Sequence, residues 1–302
     1  MGSPEFSLPT LEKLAFNYKV VGLVTQPDRP AGRGRNLKPS PVKEFATELG
    51  IPFIQPRNLR QTEAIEKLVE WEPDMIVVAA FGQILRQNVL DLPTLGCINV
   101  HASLLPRWRG AAPIPATILH GDPVTGTTVM IMDAGIDTGP MLSQQEISTS
   151  PQDTTGSLNP KLASLGASLL IETLPGYMSG TIQPIHQDEI KATHAPMLSK
   201  GNGELNFSEP AVTSERKVRA YNPWPGAFMI WNDSRLKIHR SFVEFKAGEA
   251  HRNLSSGTRT TFYGLPAVKT EDHLLILEEV QPSGKNRMPG EDFLRGTKNW
   301  VD

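Results

Sequence analysis

The sequence contains few of the residues that build disulfide frameworks or metal centres. Cys97 is the one cysteine among 302 residues, so an internal disulfide is excluded. The chain has no CxxC, HExxH or histidine-rich tract, and we therefore expect no metal site. A cysteine-poor chain of this kind is typical of a reducing compartment, which predicts a cytoplasmic protein.

Long apolar runs are also lacking. No segment reaches the roughly 20 apolar residues that cross a bilayer. The start, MGSPEFSLPTLEKL, has neither the basic beginning nor the apolar centre of a signal peptide, so we expect neither a leader nor a membrane contact. Since 302 residues exceed the usual size of a single hydrophobic core, we expect two domains.

The chain has little net charge, −2 in total, but its two parts differ in net charge. Residues 1–189 hold 14 Lys and Arg against 19 Asp and Glu, a net of −5, whereas residues 191–302 hold 16 against 13, a net of +3. Within the acidic part, DRPAGRGRNLKPSPVK (28–43) carries five basic residues and one acidic residue. Either basic region can meet a polyanion, and either can be an ordinary solvated surface.

Apolar runs alternate with helical patterns over the first two-thirds of the chain. The runs predict strands buried on both faces: KVVGLVT (19–25), DMIVVAA (74–80), CINV (97–100) and TTVMIMD (127–133). Capped helical patterns lie at 40–50 and 62–71. This alternation predicts an α/β, Rossmann-like domain with a mainly parallel sheet, in which ligands bind at the carboxyl ends of the strands.

The pattern changes beyond Asp188. KATHAPMLSKGNGE (191–204) is typical of a connector, and a helical segment follows near 213–220. Short strands such as AFMIW, RLKIHRSFVEF and HLLILEEV are separated by turns rich in Gly, Asn and Asp. These features predict a second, smaller antiparallel β-barrel.

A cluster of polar residues follows the strand at 97–100. Asn99 and His101 are two residues apart, so their side chains point to the same side of an extended strand. Asp133 and Asp137 lie on a glycine-containing turn after another predicted strand, and a carboxylate from there can fix the tautomer of His101. With no Ser or Cys nucleophile nearby, the group favours direct acyl transfer with a stabilised oxyanion. A structural histidine and a plain Asp-Gly turn are the alternative.

Two segments in succession carry a resemblance to a known family. NVHASLLPRWRGAAPI (99–114) and MDAGIDTGPML (132–142) resemble the signature of the formyltransferases that use 10-formyltetrahydrofolate. Further segments are similar to those of the members that act on methionyl-tRNA: QPDRPAGRGR (26–35), SPVK (40–43), LSKGNG (198–203) and YNPWPGAF (221–228). The resemblance covers nearly the whole chain.

The resemblance implies an enzyme that transfers the formyl group of 10-formyltetrahydrofolate to the free α-amino group of methionyl initiator tRNA. It assigns catalysis to Asn99, His101 and Asp137. The folate pocket would be lined by Ser103, Leu104, Leu105 and Pro106, and bordered by Phe81 and Gly82 unless these two form a plain turn. The tRNA would contact Arg33, Arg35, Lys38 and Lys43.

The same resemblance implies the organisation of the chain. We expect a catalytic domain at 1–185, a linker at 186–204 and a C-terminal, OB-like tRNA-binding domain at 205–302. We also expect a monomer without a membrane partner. Two arginines of the signature, Arg107 and Arg109, have no assigned role: they either anchor their loop or face an anionic substrate.

Two departures from the family pattern affect the fold. The chain begins MGSPEFS where the family has a central first strand ahead of a Gly-(Ser/Thr)-Pro turn, so we expect that strand to be missing and the start to be truncated or misassigned, or the sheet to tolerate a gap. Asn159-Pro160 also differs from the family's more helix-compatible pair, and we expect the helix there to begin at Pro160.

Several other functions share the polar cluster. Formyltransferases that act on glycinamide ribonucleotide or sugar nucleotides, and formyl-folate hydrolases, use the same Asn-His-Asp group but need no arginine-rich loop with a basic second domain. An RNA-binding protein with an impaired catalytic half is a rival from a different class. The intact Asn99, His101 and Asp137 argue against that rival.

Overall fold

A computed structural model describes residues 1–31, 36–246 and 248–301, which form two compact units. The N-terminal unit comprises Met1–Pro113, Val124–Thr149 and Leu158–Pro196. The C-terminal unit comprises Ile114–Pro123, Ser150–Ser157 and the chain from Met197 onward. Two short segments that precede residue 158 therefore group with the C-terminal residues, while the predicted domain limits themselves stay a prediction.

Helices occur in both units. In chain order they are α1 (Leu8–Asn17), α2 (Pro41–Glu48), α3 (Thr62–Glu70), α4 (Gln87–Leu90), α5 (Pro113–His120), α6 (Thr155–Met178), α7 (Ala211–Ala220), α8 (Glu249–Arg252) and α9 (Gly290–Arg295). The patterns at 40–50, 62–71 and 213–220 therefore predicted α2, α3 and α7 to within a few residues. None of the helices in the described part of the chain is long and apolar enough to cross a membrane.

The N-terminal unit holds eight of the described strands. They are β1 (Leu23–Val24), β2 (Arg29–Ala31), β3 (Asn36–Lys38), β4 (Phe53–Ile54), β5 (Ile76–Ala79), β6 (Cys97–His101), β7 (Val124–Ile131) and β8 (Met141–Ser148). The predicted strand at 19–25 is shortened to β1, and β8 was not predicted because its sequence, MLSQQEIS, is mostly polar.

The main sheet has the order β5-β6-β7-β8 and is mixed rather than mainly parallel. β5 and β6 are parallel, but β7 is antiparallel to both β6 and β8. The loop of nine residues between β7 and β8 is shorter than the crossover that parallel neighbours need, so this pair forms an antiparallel hairpin. A buried apolar run predicts burial on both faces, but it carries no information on strand direction.

The parallel pair β1-β4 forms a separate small sheet, and residues 1–2 lie between it and β5. The Gly2 amide donates to Val24 O at 3.1 Å, and Gly2 forms a parallel bridge with Ala79. The Met1 amine donates to Val77 O at 2.5 Å, and burial lowers its pKa to about 5. No full strand occupies this position in the described residues, and a small cavity of about 30 Å³ lies beside Met1 and Gly2.

The long helix α6 begins five residues earlier than expected. Its first residue is Thr155, and Pro160 lies inside the helix rather than at its start. A proline at the sixth position of the helix removes one i→i−4 hydrogen bond, and the helix continues past it to Met178. Further along, Gly166 faces β6 so closely that a Cβ atom would lie 2.5 Å from Val100 Cγ1. This close approach brings α6 onto the strand that carries Asn99 and His101.

The C-terminal unit contains an antiparallel sheet of the order β11-β12-β13-β10-β9, with β14 paired to β13. Its strands are β9 (Ala227–Trp231), β10 (Ser234–Glu244), β11 (Arg259–Phe262), β12 (Leu265–Lys269), β13 (Leu274–Pro282) and β14 (Met288–Pro289). The predicted antiparallel strands are thus present, and among the described residues they form an open path of pairs without a closed barrel.

Candidate active site

Asn99 and His101 extend from the same side of β6, as their spacing predicts. All five residues of this strand are buried, because β6 pairs with β5 on one edge and β7 on the other. The exposed fractions of Asn99 and His101 are 7 % and 6 %. Polar side chains in such surroundings need hydrogen-bond partners, and both find them on loops that leave the strands.

The carboxylate of Asp137 is the point where these side chains meet. Asn99 Nδ2 donates to Asp137 Oδ1 at 3.3 Å, and His101 Nδ1 lies 3.5 Å from Oδ2. The backbone amide of Gly110 donates to Oδ2 at 2.8 Å. The structure thus brings the three predicted catalytic residues together, and it adds a main-chain donor that the sequence did not indicate.

The second nitrogen of His101 is held by a main-chain carbonyl. His101 Nε2 lies 2.9 Å from Trp108 O, and a carbonyl only accepts, so Nε2 carries a proton. We expected a carboxylate to fix the tautomer, but this carbonyl does so and leaves Nδ1 facing Asp137. Trp108 was not predicted as a site residue because its contribution comes from the backbone, on which side-chain identity has little bearing.

Asp133, the other candidate carboxylate, stabilises its own turn. Its Oδ1 accepts hydrogen bonds from the amide of Gly135 at 3.0 Å and from Thr138 Oγ1 at 2.6 Å. These bonds are those of an Asx turn, in which a short acidic side chain closes the loop. The structure therefore separates two aspartates that the spacing left equivalent.

The loop Ser103–Pro106 follows β6 directly, and its backbone is largely engaged within the protein. Thr128 Oγ1 donates to Ser103 O at 2.7 Å and accepts from the Leu105 amide at 3.1 Å. Gln144 Nε2 donates to Leu105 O at 2.8 Å. The amide and the carbonyl of Leu105 therefore both have partners within the protein. Its side chains remain the candidates for apolar contacts, and Leu104 is the partly exposed leucine.

Phe81 and Gly82 lie just after β5. The ring of Phe81 is 2 % exposed and belongs to the hydrophobic core, so a contact from Phe81 has to come from its main chain. Its carbonyl accepts a hydrogen bond from Gln26 Nε2 at 2.8 Å. Gly82 is exposed and has a positive φ of 73°, a conformation that favours glycine. These observations fit a turn at the edge of the sheet.

The four predicted tRNA contacts lie close together in the sequence, between positions 33 and 43. Arg33 and Arg35 lie outside the described residues. Lys38 is exposed at the end of β3. Lys43 Nζ lies 2.6 Å from Asp28 Oδ2, and this hydrogen bond holds the pKa of Asp28 below its usual range. Lys38 is therefore better placed than Lys43 to meet a phosphate group.

Cys97 begins β6, and its side chain belongs to the core as predicted. It is 1 % exposed, and burial raises the pKa of the thiol to about 12. Among the described residues, no three side chains of His, Cys, Asp and Glu are grouped closely enough to hold a metal ion.

The family follows from comparison with known proteins. A profile described as "Formyl transferase" matches residues 7–174, and one described as "Formyl transferase, C-terminal domain" matches residues 197–298. The methionyl-tRNA formyltransferase of Bacillus subtilis (strain 168) is 46 % identical over 299 residues, which cover 98 % of this chain and 93 % of that protein. The chain belongs to the methionyl-tRNA formyltransferase family.

Other members agree with this assignment. The methionyl-tRNA formyltransferase of Myxococcus xanthus (strain DK1622) is 45 % identical over 298 residues, or 99 % of this chain and 94 % of that protein. A solved N-formyltransferase of Helicobacter canadensis, in complex with folinic acid and dTDP-3-aminofucose, has a TM-score of 0.66 at 17 % identity over 93 % of this chain and 97 % of that chain. The solved structure shows a shared fold, and the sequence relatives confirm the family that the two signature segments predicted.

Proposed function

We propose that the protein transfers the formyl group of 10-formyltetrahydrofolate to the α-amino group of methionyl initiator tRNA. The relatives that are 45–46 % identical over nearly the whole chain are methionyl-tRNA formyltransferases, which supports this reaction. The observation that carries the proposal is the meeting of Asn99, His101 and Asp137 at the end of β6. This group has no protein nucleophile, so it suits a transfer in which the substrate amine attacks directly.

In the proposed mechanism the methionyl amine attacks the formyl carbon, and negative charge develops on the formyl oxygen. Asn99 Nδ2 and His101 Nδ1 are the donors that stabilise this oxyanion, since both lie on the side of β6 that faces Asp137. The bond from Nε2 to Trp108 O fixes the plane of the imidazole ring. Because Nε2 keeps its proton, His101 donates from Nδ1 only as an imidazolium, which the neighbouring Asp137 carboxylate stabilises, and the ring need not rotate.

Asp137 is the acceptor for the proton that the attacking amine loses. A new C–N bond forms to the amine, the bond from the formyl carbon to the folate nitrogen breaks, and that nitrogen takes up the proton that Asp137 received, which restores the carboxylate. The Gly110 amide keeps one carboxylate oxygen of Asp137 in place, while the other faces Asn99. A carboxylate held in this way can take up a proton and can stabilise an imidazolium at His101.

The formyl donor is proposed to bind against the loop at Ser103, Leu104, Leu105 and Pro106, with Phe81 and Gly82 at its border. Thr128 and Gln144 fix the backbone of the loop, which holds the partly exposed side chains of Leu104 and Pro106 in place directly after β6. This arrangement suits a flat heterocycle. The folate is a co-substrate, and the proposed reaction needs no metal.

The tRNA is proposed to contact Arg33, Arg35, Lys38 and Lys43 and the sheet of the C-terminal unit, which we take to be an OB-like domain. On β10, Arg235 and Lys237 are exposed, while Leu236 and Ile238 between and beside them are buried. Arg235 lies over the ring of Phe228 at 4.4 Å. Exposed cations on a rigid strand provide the phosphate contacts that a folded RNA needs. We further propose that the protein acts as a monomer in the cytoplasm.

The test is a transfer assay with a panel of acceptors. Labelled 10-formyltetrahydrofolate is incubated with methionyl initiator tRNA, methionyl elongator tRNA, glycinamide ribonucleotide and an amino sugar nucleotide. We expect formyl-methionyl-tRNA as the main product, with a related active formyltransferase as the control. No product from initiator tRNA, or faster transfer to a small acceptor, would contradict the proposal. Release of formate without an acceptor would indicate a hydrolase.

A further inference from the structure

Arg109 is a buried cation whose role the sequence leaves open. Its side chain is 3 % exposed. Nη1 and Nη2 donate to the carboxylate of Glu189 at 2.8 and 2.7 Å, and this pairing holds the pKa of Glu189 below its usual range. Nε donates to Gln187 Oε1 at 3.0 Å. The planar guanidinium is therefore fixed on two edges, with one edge directed at the amide of Gln187.

Gln187 connects this arginine to the loop of Asp137. Its Oε1 accepts from Arg109, so the orientation of the amide is settled and both Nε2 hydrogens are available to donate. Nε2 donates to Asp137 O at 2.8 Å and to Gly139 O at 2.7 Å. Gln187 is only 9 % exposed, so a lost hydrogen bond here is not readily replaced by water. The amide thus clamps two carbonyls of the loop between β7 and β8.

The backbone of Asp137 needs such a clamp. Its φ of 54° lies in the left-handed region, which costs a residue with a Cβ atom about 1–2 kcal/mol. Conformations of this kind persist where the surrounding contacts enforce them, and they occur often at functional sites. The bond from Gln187 to Asp137 O fixes the peptide, while the Gly110 amide fixes the carboxylate.

Each of the residues 108–110 contacts a different part of the site. Trp108 O contacts the ring of His101, the side chain of Arg109 holds Gln187, and the Gly110 amide holds the Asp137 carboxylate. Their own position is fixed by the segment that follows Gln187. The Arg109 amide donates to Thr193 O, the Ala195 amide donates to Arg109 O, and the Trp108 amide donates to the side-chain Oγ1 of Thr193.

We propose that Gln187, held by the buried Arg109, is a positioning residue that keeps the Asp137 carboxylate against His101 and Asn99. This inference rests on the proposed function, in which Asp137 acts on the reacting groups. The hydrogen bonds of Gln187 go to Arg109 and to the main chain of the loop, so it acts through the loop. Because misplacement by about 1 Å costs on the order of 10²-fold in rate, loss of the clamp lowers kcat far more than it raises either KM.

The test compares Gln187→Met with Gln183→Met. Methionine keeps the length of glutamine but removes its hydrogen bonds. Gln183 lies on the same segment, is exposed, and donates to Gly180 O at 2.7 Å, so its replacement is a matched control. We expect Gln187→Met to lower kcat by about 10- to 100-fold with less than about a 3-fold change in KM for folate and tRNA. The Gln183→Met variant should keep the kcat of the wild type.

A second readout reports on His101 itself and does not depend on activity. The ring nitrogens are observed by NMR in protein labelled with 15N-histidine, and His101 is assigned with a His101→Ala variant. Gln187→Met should shift the His101 Nδ1 resonance in the direction that Asp137→Ala shifts it. A fall in kcat with an unchanged His101 signal would overturn the proposal, because the loss of rate would then have a cause other than the position of Asp137. An unchanged kcat would also overturn it.

Glu189→Gln covers the case in which Gln187→Met does not fold. The Glu189 side chain is 71 % exposed, so its replacement leaves no cavity in the core. It does weaken the ion pair that holds the guanidinium of Arg109. We expect a fall in kcat of about 2- to 10-fold with the same direction of shift at His101. An unchanged kcat in this variant overturns the proposal in that case. Failure of the proposed function is recognised separately, since the wild type would then form no product or Asp137→Ala would keep full activity.

Discussion

At the scale of the residue, the site depends on polar groups that are buried together and satisfy one another. Asn99, His101 and the Gly110 amide all meet the carboxylate of Asp137. An unpaired polar group at this depth costs about 1–3 kcal/mol, so each partner holds the others in place. The oxyanion proposed to form there can then meet donors that are already oriented.

Asn99→Ala should lower kcat by about 10²- to 10³-fold, because it removes one of the two proposed oxyanion donors. The measurement is the steady-state rate with formyl-folate and methionyl-tRNA, with equilibrium tRNA binding measured alongside. Asn88→Ala, at an exposed position on α4, is the control for the same substitution. A rate within about 3-fold of the wild type in Asn99→Ala would remove Asn99 from the mechanism.

His101→Ala should abolish turnover while tRNA binding is largely kept.

Cys97 should resist alkylation in the folded protein. Its pKa of about 12 leaves on the order of one part in 10⁴ as the reactive thiolate at pH 8, and the side chain is 1 % exposed. We expect iodoacetamide at pH 8 to label the protein in guanidinium chloride but not under native conditions, as measured by mass spectrometry. Native labelling at a rate close to that of the denatured chain would contradict the burial of Cys97. A free cysteine peptide provides the reference rate.

At the scale of the element, the packing of α6 on β6 fixes the strand that carries the site. The contact is close because Gly166 has no side chain, and a Cβ atom there would meet Val100 Cγ1 at 2.5 Å. Val100 lies between Asn99 and His101, so a displacement of the helix is transmitted directly to both side chains. Helical propensity would favour almost any other residue over glycine at this position, and the close approach accounts for the exception.

Gly166→Val should therefore lower both stability and activity. Overpacking at a buried contact costs about 1–3 kcal/mol, which should move the midpoint of urea denaturation to a lower concentration. Ser164→Val, at an exposed position of the same helix, is the control for the effect of a β-branched residue on helicity. Equal shifts of the midpoint in the two variants would show that propensity, rather than the contact with Val100, explains the change.

At the scale of the whole molecule, the excess of positive charge lies in the C-terminal part of the chain. The proposed substrate, tRNA, is a polyanion. The chain from Lys191 onward carries a net charge of +3, against −5 up to Glu189. The alternation on β10 directs Arg235 and Lys237 to solvent and Leu236 between them to the core. Exposed cations of this kind can attract a polyanion such as the proposed tRNA over a distance.

The double variant Arg235→Ala, Lys237→Ala should weaken tRNA binding and flatten its dependence on salt. Each lost phosphate contact lowers the slope of log K against log salt by about 1, so we expect a decrease of up to about 2. Binding is measured between 50 and 200 mM salt, roughly the range over which such contacts are screened. The control is Arg57→Ala, Arg60→Ala, which removes the same charge from exposed positions of the N-terminal unit. An unchanged slope in the first variant would remove this face from the interface.

Local signals in the sequence predicted the elements better than their arrangement. Ser40 precedes α2 and accepts a hydrogen bond from the Lys43 amide, as an N-cap should, so both the start and the type of that helix were predictable. The start of α6 at Thr155 was not, because Pro160 was read as a first-turn residue. The direction of β7 depends on its neighbours, and no property of its own residues reveals it.

The sequence by itself determined the family, the alternation of strands and helices, and the residues available for chemistry. Those properties depend on residue types and short spacings, which are local. The resemblance already assigned Asp137 to the site, but the packed structure was needed to show that Trp108 O holds the imidazole and that Arg109 and Gln187 brace the loop. These contacts join residues from separate segments, or come from the backbone, so they exist only when the strands and loops are packed together.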